Sequence, residues 1–414
     1  MKQIRLLFLF GCFLATMSCV AAQEDDTRVA VWDDDTRVAT QEGDIQEWDA
    51  WLEDLRKSFV SAGISEQTFD RALGNATPDE RVLRLDGQQP EFVRPIWEYL
   101  ETAVSPQRIS KGREMVVRYG DLLERISDEH GITAEVLVSI WGIETNYGGN
   151  KGSLHVPRSL ATLAYGSDRH TFGRTQLLSA MRLLEEGVMS SEAMVGSWAG
   201  ALGHMQFLPS NYETYGIDYD GNGVRDLSGS VADALASAAG FLRAKGWHRG
   251  ESWGMEVIVP DGFDYGLAQP SVRKTGEDWE RLGVIGVGGS LPTSEGYLLL
   301  LAGHRGPVFF VGENFEVLKR YNPSTAYALA VSKLSDCLID CIELLKSWPV
   351  EDETLSRGEK ISLQRGLVAE GYAIGVDGIV GPETRAALRS WQRANGEIAD
   401  GYPTRSLLRR INGK

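Results

Sequence analysis

The chain has 414 residues, 43% of them hydrophobic, which is long enough for two or three domains with a sizeable core. Its formal net charge of −16 argues against a nucleic-acid partner and against binding to anionic membrane surfaces. An uncharged glycan is compatible with this charge. The 11 Trp and 13 Tyr residues suit such a ligand, because aromatic rings pack against sugar rings, although most of them are expected in the core.

The N-terminus has the pattern of a secretory signal peptide. Lys2 and Arg5 form a basic start, an apolar stretch covers residues 6–20, and small residues follow it. We therefore predict a signal peptide over residues 1–22. The apolar stretch is short for a membrane span, so an exported protein without a transmembrane segment is expected. Cys19 leaves a lipid-anchored form as the alternative.

Residues 23–44 are acidic, polar and internally repeated. The segment 25–30, with the sequence DDTRVA, recurs at residues 34–39. A short charged duplication is typical of a disordered segment rather than of a folded repeat. We predict a disordered acidic linker over residues 23–44.

Residues 45–347 have mainly helical patterning and are predicted to form one domain. Apolar residues recur at helical spacing in several segments. The predicted helices include Ile109–Ile126, Thr133–Glu144, Gly173–Glu186, Ala232–Ala244 and Ala326–Leu345. Two further segments, Met255–Val259 and Leu282–Gly289, favour strands or loops. The sequence therefore predicts a mainly α domain with a small irregular or β insertion.

Glu144 is the most informative residue of this domain. It lies on or beside the apolar face of its helix, which carries Val136, Leu137, Ile140 and Ile143, and it is flanked by Trp141 and Tyr147. A carboxyl group on an apolar face favours its neutral form, which a general acid requires near neutral pH. The alternative is a glutamate at the edge of the stripe that pairs with a nearby arginine.

The segment 218–226, with the sequence DYDGNGVRD, has the ligand spacing of an EF-hand loop. The candidate ligands are the side chains of Asp218, Asp220, Asn222 and Asp226 and the carbonyl of Val224. Position 12 is Gly229 rather than a bidentate glutamate, so a structural calcium ion is expected rather than a signalling switch. The alternative is a turn rich in Asp and Asn without a metal.

Cys337 and Cys341 are four residues apart on a predicted helix. This spacing allows a disulfide, but two buried thiols explain it equally well. The four cysteines of the chain have no zinc-ligand spacing.

Residues 353–414 are predicted to form a separate small module after a polar boundary at Asp352. Gln364, Asp377-Gly378, Thr384 and Trp391-Gln392 resemble the type 1 peptidoglycan-binding domain, and Asp400-Gly401 repeats part of the pattern. The resemblance implies a three-helix module that binds the cell wall. The turn chemistry of these residues is equally compatible with a structural role.

The segments Glu144–Gly148 and Gly200–Tyr212 resemble the B-type lytic murein transglycosylases. Further blocks of the same family follow its order at residues 90–100, 160–165, 304–310 and 320–331. The resemblance implies a lysozyme-like α domain that cleaves the β-1,4 MurNAc–GlcNAc bond of peptidoglycan in the periplasm. It also implies a 1,6-anhydro product, Glu144 acting as acid and then base, and no cofactor for the chemistry.

The resemblance assigns further residues to the site. Substrate-binding positions correspond to Ser197, Gln206, Tyr321, Asn322 and Arg169. Asp233 corresponds to the aspartate that closes the metal loop. His170 stands in place of a second groove arginine, so the resemblance does not extend to that contact. Phe241 stands in place of a tyrosine, so its ring can still stack but the hydrogen bond of the hydroxyl is lost.

Two other functions stay open at this point. A hydrolase of the same bond would need a second carboxylate that activates water. A catalytically silent scaffold would bind the wall through the C-terminal module alone. A monomer is expected.

Overall fold

The computed structural model describes residues 41–86 and 95–413. The predicted signal peptide and residues 23–40 of the predicted linker lie outside these ranges, as do residues 90–94 of the family blocks. The first helix begins at Gln41 and therefore includes residues 41–44, which the sequence assigned to the linker. Within the described ranges, no helix is both long and apolar enough to cross a membrane.

The described chain contains seventeen α-helices and seven short strands. The helices are α1 Gln41–Ser61, α2 Glu66–Leu73, α3 Glu80–Asp86, α4 Ile96–Ala103, α5 Pro106–Arg118, α6 Gly120–His130, α7 Ala134–Thr145, α8 Val156–Gly166, α9 His170–Glu185, α10 Pro209–Tyr215, α11 Val231–Ala244, α12 Gly276–Arg281, α13 Glu313–Tyr321, α14 Thr325–Ile339, α15 Arg357–Ala369, α16 Pro382–Ala394 and α17 Arg405–Ile411. The strands are β1 Leu154–His155, β2 Val195–Gly196, β3 Gly254–Ile258, β4 Lys274–Thr275, β5 Ile285–Gly286, β6 Glu295–Leu300 and β7 Val308–Val311.

Helix α7 lies at the centre of the main helical body. Nine of its twelve residues are buried, and it packs against α5, α6, α11 and α14. This all-round burial agrees with its nearly continuous apolar sequence, which has no polar face for solvent. The helix that carries Glu144 is therefore held on every side by other helices.

The predicted β insertion is a five-stranded antiparallel sheet with the order β4-β6-β7-β3-β5. Its central strand β7 is fully buried and pairs with β6 and β3, so that Phe310 lies opposite Leu298 and Met255. The segments predicted at 255–259 and 282–289 supply β3 and β5. The sheet and helix α12 enclose a small core around Trp279, separate from the main helical core.

Two predicted helices have different bounds. The predicted helix Ile109–Ile126 is interrupted at Tyr119, which leaves the helical conformation and caps both α5 and α6. Gly120, which follows, has a low helix propensity, and this permits the break. The predicted helix Ala326–Leu345 ends at Ile339, because Asp340 is extended. Cys341 therefore lies beyond the helix end, where it forms a disulfide with Cys337.

The C-terminal module is a three-helix unit, as predicted. Helices α15, α16 and α17 surround a small core that includes Leu363, Leu388 and Leu407. Helix α15 begins with a capping box in which Ser356 and Glu359 satisfy each other's backbone N–H groups.

The module contacts the sheet through named polar pairs. Asp400 accepts hydrogen bonds from the backbone N–H and the ring Nδ1 of His304, at 2.9 and 2.6 Å. Arg393 pairs with Asp264 at 3.2 Å, and Arg389 donates to Gln269 at 3.2 Å. These contacts join the turn before α17 and the exposed side of α16 to the sheet region.

Candidate active site

Glu144 is buried at the C-terminal end of α7, with only 1% of its surface exposed. The Tyr327 hydroxyl donates to Glu144 Oε1 at 2.7 Å. Tyr327 lies in the first turn of α14, where the Ser324 side chain caps the helix. The packing of α14 against α7 therefore brings a phenol to the carboxyl group of Glu144.

The Tyr327 ring stacks on the Tyr321 ring, with centroids 6.4 Å apart and planes 3° from parallel. Burial, reinforced by the neighbouring carboxyl group of Glu144, raises the pKa of both tyrosines well above 10. Both phenols therefore stay protonated at neutral pH. The Tyr321 hydroxyl donates to the carbonyl of Met205 at 2.6 Å, so it anchors the neighbouring loop instead of the acid.

This loop, residues 196–207, is folded tightly by backbone bridges from Leu202 to Gly196 and Phe207. Gln206 adopts a left-handed φ of 48°, which is uncommon for a residue with a side chain. Its amide nitrogen donates to the carbonyls of Gly203 and Lys151, at 3.0 and 3.2 Å. These bonds fix the orientation of the Gln206 amide within the loop.

The loop is joined directly to α7, the helix that carries Glu144. Thr145 Oγ1 donates to the carbonyl of His204 at 2.8 Å, and the Trp141 indole N–H donates to His204 Nδ1 at 3.1 Å. The Thr145 hydroxyl also accepts the N–H of Gly148 at 2.9 Å. The Glu-Thr pair therefore has a structural basis: the residue after the acid joins α7 to the loop.

Three consecutive left-handed residues follow the acid. Asn146, Tyr147 and Gly148 have φ values of 50°, 60° and 78°. The Tyr147 ring fills a slot between Gly112 and Gly142, since a Cβ at either glycine would lie within 2.7 Å of it. Strained backbone of this kind persists only where the surroundings hold it, and it concentrates at functional sites.

Helix α5 contacts the C-terminal ends of both helices that carry the acid and its partner. Lys111 donates to the Asn146 carbonyl at 2.9 Å, just after α7. Arg113 donates to the Cys337 and Leu338 carbonyls at 2.6 and 3.3 Å, near the end of α14. Cations are favourable at helix C-termini because the carbonyls there carry partial negative charge. Helix α5 thus holds α7 and α14 together.

The structure also locates the other predicted substrate-binding residues. Ser197 Oγ accepts the N–H of Ala201 at 2.9 Å within the same loop. The Arg169 guanidinium lies over the Trp198 ring at 5.6 Å, which places Arg169 beside that loop. Asn322 is buried, and its side-chain oxygen accepts the N–H of Ser324 at 3.1 Å. Their contacts with a ligand remain predictions.

Phe241, which stands where the family has a tyrosine, packs against Phe207, Tyr215 and Tyr321. It contributes apolar contacts to the same aromatic cluster as Tyr321. His170, the substituted groove residue, is exposed at the start of α9.

The predicted metal loop brings three carboxylates together. Oxygen atoms of Asp218, Asp220 and Asp233 lie within 4.8 Å of one another. Asp233 is fully buried and also accepts the backbone N–H groups of Tyr219, Asp220 and Asp226. Hard oxygen donors of this kind suit calcium.

Two of the remaining predicted ligands, Asn222 and Asp226, make local hydrogen bonds. Asn222 Oδ1 accepts the N–H of Val224 at 2.9 Å, and Asp226 Oδ1 accepts the N–H groups of Ser228 and Gly229 at 3.0 and 2.7 Å. These are the local turns that the metal-free alternative describes. The carboxylate cluster fits a cation, while the participation of Asn222, Val224 and Asp226 stays a prediction.

Sequence reasoning did not assign Tyr327, Thr145 or His204 to the site. Tyr327 lies six residues after Tyr321 in the same family block, so this block could have indicated a second tyrosine near the site. The sequence shows His204 only as a polar residue in an apolar, glycine-rich segment, which does not indicate a role in the site. Its contact with Trp141 depends on how α7 crosses the loop, which local patterning does not encode.

His204 provides a prediction on acid stability. Burial lowers its pKa to about 4, from an ordinary value of 6.5. Between these values the unfolded chain binds a proton that the folded chain does not, so the free energy of unfolding falls as pH decreases from 6.5 to 4. We expect His204 to contribute about 3 kcal/mol to this fall.

Urea denaturation at pH 7 and pH 4.5, with a chelator present throughout, measures the effect. The variant His204→Gln should have a shallower dependence on pH, whereas replacing the exposed His170 by Gln should leave it unchanged. Equal slopes for all three proteins would contradict the assignment.

A buried carboxyl group in a mainly α, lysozyme-like body is typical of enzymes that cleave glycan chains. Comparison with known proteins agrees with this class. Residues 47–336 match the family profile described as Transglycosylase SLT domain, and residues 357–411 match the putative peptidoglycan-binding domain. The chain belongs to the lytic murein transglycosylases of the SLT-domain family and is an enzyme.

Individual relatives place the chain more closely. It is 30% identical over 301 residues to the membrane-bound lytic murein transglycosylase B of Escherichia coli K12, covering 68% of this chain and 82% of that protein. SltB3 from Pseudomonas aeruginosa, in complex with NAG-anhNAM-pentapeptide, is 45% identical with a TM-score of 0.85, covering 88% and 99% of the two chains. E. coli Slt35 in complex with calcium is 27% identical with a TM-score of 0.60, covering 69% and 92%.

Proposed function

We propose that this lytic transglycosylase cleaves the β-1,4 MurNAc–GlcNAc bond of peptidoglycan without water, with Glu144 as the only proton donor and acceptor. The contact that carries the proposal is the 2.7 Å hydrogen bond from Tyr327 to the buried Glu144. This partner is a phenol whose hydroxyl donates to the carboxyl group, so it can stabilise the negative charge that develops there when Glu144 gives up a proton.

In the proposed reaction, Glu144 first protonates the glycosidic oxygen, and the bond from that oxygen to the anomeric carbon breaks. Negative charge then develops on Glu144, and the Tyr327 hydroxyl stabilises it by donating to Oε1. The 6-hydroxyl of the muramic acid residue next bonds to its own anomeric carbon. Its proton passes to Glu144, which restores the starting state and leaves a 1,6-anhydro end.

The remaining residues have supporting roles. Ser197, Gln206, Asn322 and Arg169 bind the sugar and its substituents from the loop and the adjacent groove. Tyr321 holds the loop through Met205 and supports the Tyr327 ring. SltB3, which is 45% identical to this chain, was solved in complex with NAG-anhNAM-pentapeptide. The anhydro-muramic end of that ligand supports the same type of product here.

Residues outside the site complete the proposal. Residues 1–22 direct export to the periplasm, residues 45–347 form the catalytic domain, and residues 353–414 hold peptidoglycan. The disulfide between Cys337 and Cys341 supports export, because such bonds form in oxidising compartments. The enzyme acts as a monomer without a lipid anchor, and Cys19 would carry the lipid in the alternative form.

Mass spectrometry of the products in H₂¹⁸O tests the reaction. Purified sacculi treated with the mature chain should release muropeptides with anhydro ends, which are free of ¹⁸O and lighter than the hydrolysed forms by one labelled water molecule. Products that contain ¹⁸O at the reducing end would establish a hydrolase instead. Binding to sacculi without any release would establish a scaffold.

Calcium bound by Asp218, Asp220 and Asp233 would stabilise the loop without entering the chemistry. We expect saturating calcium to raise the Tm by about 2–4 °C, as ligand binding to the folded state requires. Differential scanning calorimetry with calcium and with a chelator measures the shift.

Asp220 offers the variant for this experiment because its side chain is exposed. The replacement Asp220→Asn should remove most of the calcium-dependent shift, whereas replacing the exposed Asp261 by Asn should preserve it. If calcium leaves the Tm of the parent protein unchanged, this result would favour the metal-free turn.

A further inference from the structure

The C-terminal module contains the same turn twice. In the first copy, the Gln364 side chain donates to Asp377 Oδ1 at 2.8 Å and accepts the N–H of Gly378 at 2.7 Å. Asp377 Oδ1 also accepts the N–H of Ile379 at 2.8 Å. A helix, α16, begins five residues after the aspartate.

The second copy repeats these bonds atom for atom. The Gln392 side chain donates to Asp400 Oδ1 at 2.9 Å and accepts the N–H of Gly401 at 2.8 Å. Asp400 Oδ1 accepts the N–H of Tyr402 at 2.9 Å, and α17 begins five residues after Asp400. Both glycines are left-handed, with φ values of 77° at Gly378 and 69° at Gly401.

In each copy the Oδ1 atom is used inside the turn, and in the second copy the Oδ2 atom faces a partner. Asp400 Oδ2 accepts the backbone N–H of His304 at 2.9 Å and faces its ring Nδ1 at 2.6 Å. Tyr402 packs against the preceding Gly303, where an added Cβ would lie 2.7 Å from the Tyr402 Cβ. This turn therefore holds a peptide segment in which a small residue precedes the donating N–H.

The first copy has its equivalent surface exposed. The Asp377 side chain is exposed, whereas that of Asp400 is 5% exposed. Ile379, at the position equivalent to Tyr402, is 68% exposed, and Val376 beside it is 42% exposed. Exposed aliphatic side chains next to a carboxylate oxygen have the composition of a small binding surface.

We propose that the Asp377-Gly378 turn binds the stem peptide of peptidoglycan, as the Asp400-Gly401 turn binds the Gly303-His304 segment. Asp377 Oδ2 accepts a peptide N–H, and Ile379 packs against the small side chain that precedes it. Stem peptides carry such N–H groups beside alanine side chains. The inference rests on the proposed attachment of the module to peptidoglycan and specifies which part of that polymer the module recognises.

The substitution Asp377→Asn separates binding from folding. The asparagine oxygen can still accept from Gln364 and Ile379, while its NH₂ group replaces the Oδ2 acceptor with a donor. Ile379→Ala removes the apolar contact without touching a side-chain hydrogen bond. Glu383→Gln is the matched control, because Glu383 is an exposed carboxylate on the same module.

The experiment measures co-sedimentation of the full chain with sacculi, in a Glu144→Gln background that prevents digestion. Two preparations are compared: intact sacculi and sacculi whose stem peptides an amidase has removed. We expect Asp377→Asn to weaken the Kd for intact sacculi about tenfold or more, as expected for loss of a hydrogen bond to a charged group. Ile379→Ala should also weaken it, and Glu383→Gln should not.

On stripped sacculi all four proteins should bind alike and more weakly. Unchanged binding of Asp377→Asn to intact sacculi would overturn the inference and leave wall attachment standing. An equal loss of affinity for intact and stripped sacculi would also overturn the inference, since the turn would then recognise the glycan. A background protein that binds neither preparation would refute the wall attachment together with this inference.

Discussion

Replacing Glu144 by glutamine is expected to abolish cleavage of peptidoglycan, with kcat lowered at least about 10³-fold. A positioned acid and base contributes on the order of 10²–10⁴ in rate, and in the proposed reaction one residue performs both transfers. Glutamine has nearly the same shape, and its oxygen can accept the Tyr327 hydroxyl, so the buried site should keep its packing. Release of soluble muropeptides from sacculi measures the loss.

The control lies on the same helix. Glu135 is in the first turn of α7 and is only partly buried, so Glu135→Gln changes one charge without reaching the site. It should keep activity close to that of the parent. If Glu144→Gln retained more than a tenth of the parent activity with an unchanged Tm, another group would have to be the acid.

Tyr327→Phe is expected to lower kcat about 10–100-fold with little change in KM. The substitution removes one hydrogen bond that strengthens as Glu144 becomes charged, and bonds to charged groups are worth about 1.5–3 kcal/mol. The donor favours the ionised carboxylate, so its removal favours the protonated one. Activity that requires protonated Glu144 should therefore persist to higher pH, and the alkaline limb of the pH–rate profile should move upward.

Tyr321→Phe is the matched variant, since the two rings are stacked but the Tyr321 hydroxyl donates to Met205 rather than to the acid. It should lower kcat through the loop while leaving the alkaline limb in place. A displaced limb in both variants, or in neither, would contradict the distinct role assigned to Tyr327.

The features that sequence predicted best are those written into short segments. The apolar stripe around Ile140 indicated a central helix, and the structure places Glu144 inside it with 1% exposure. The three-helix module was predicted from a family resemblance carried by residues such as Gln364 and Asp377, and the three helices are present. The lytic transglycosylase family, inferred from ordered motifs, is confirmed by the family match over residues 47–336.

The features that sequence missed depend on contacts between distant segments. Tyr327 is 183 residues from Glu144, and nothing local to either residue indicates that α14 packs along α7. The sequence does not predict the break between α5 and α6 at Tyr119, because the apolar spacing continues through it. The internal copy of the Gln-Asp-Gly turn was visible as a motif, but its bond to His304 required the packed domains.

Because a disulfide closes at the end of α14, the number of reactive thiols in this protein should depend on whether the chain has been exported. The full sequence has Cys12, Cys19, Cys337 and Cys341. In a precursor held in the reducing cytoplasm, all four thiols could react with a maleimide-linked polymer. In an exported chain that is cleaved after residue 22 and carries the Cys337–Cys341 disulfide, no thiol could react. Gel shifts on whole cells, with and without prior reduction, would therefore count exported molecules directly, without fractionation or an activity assay.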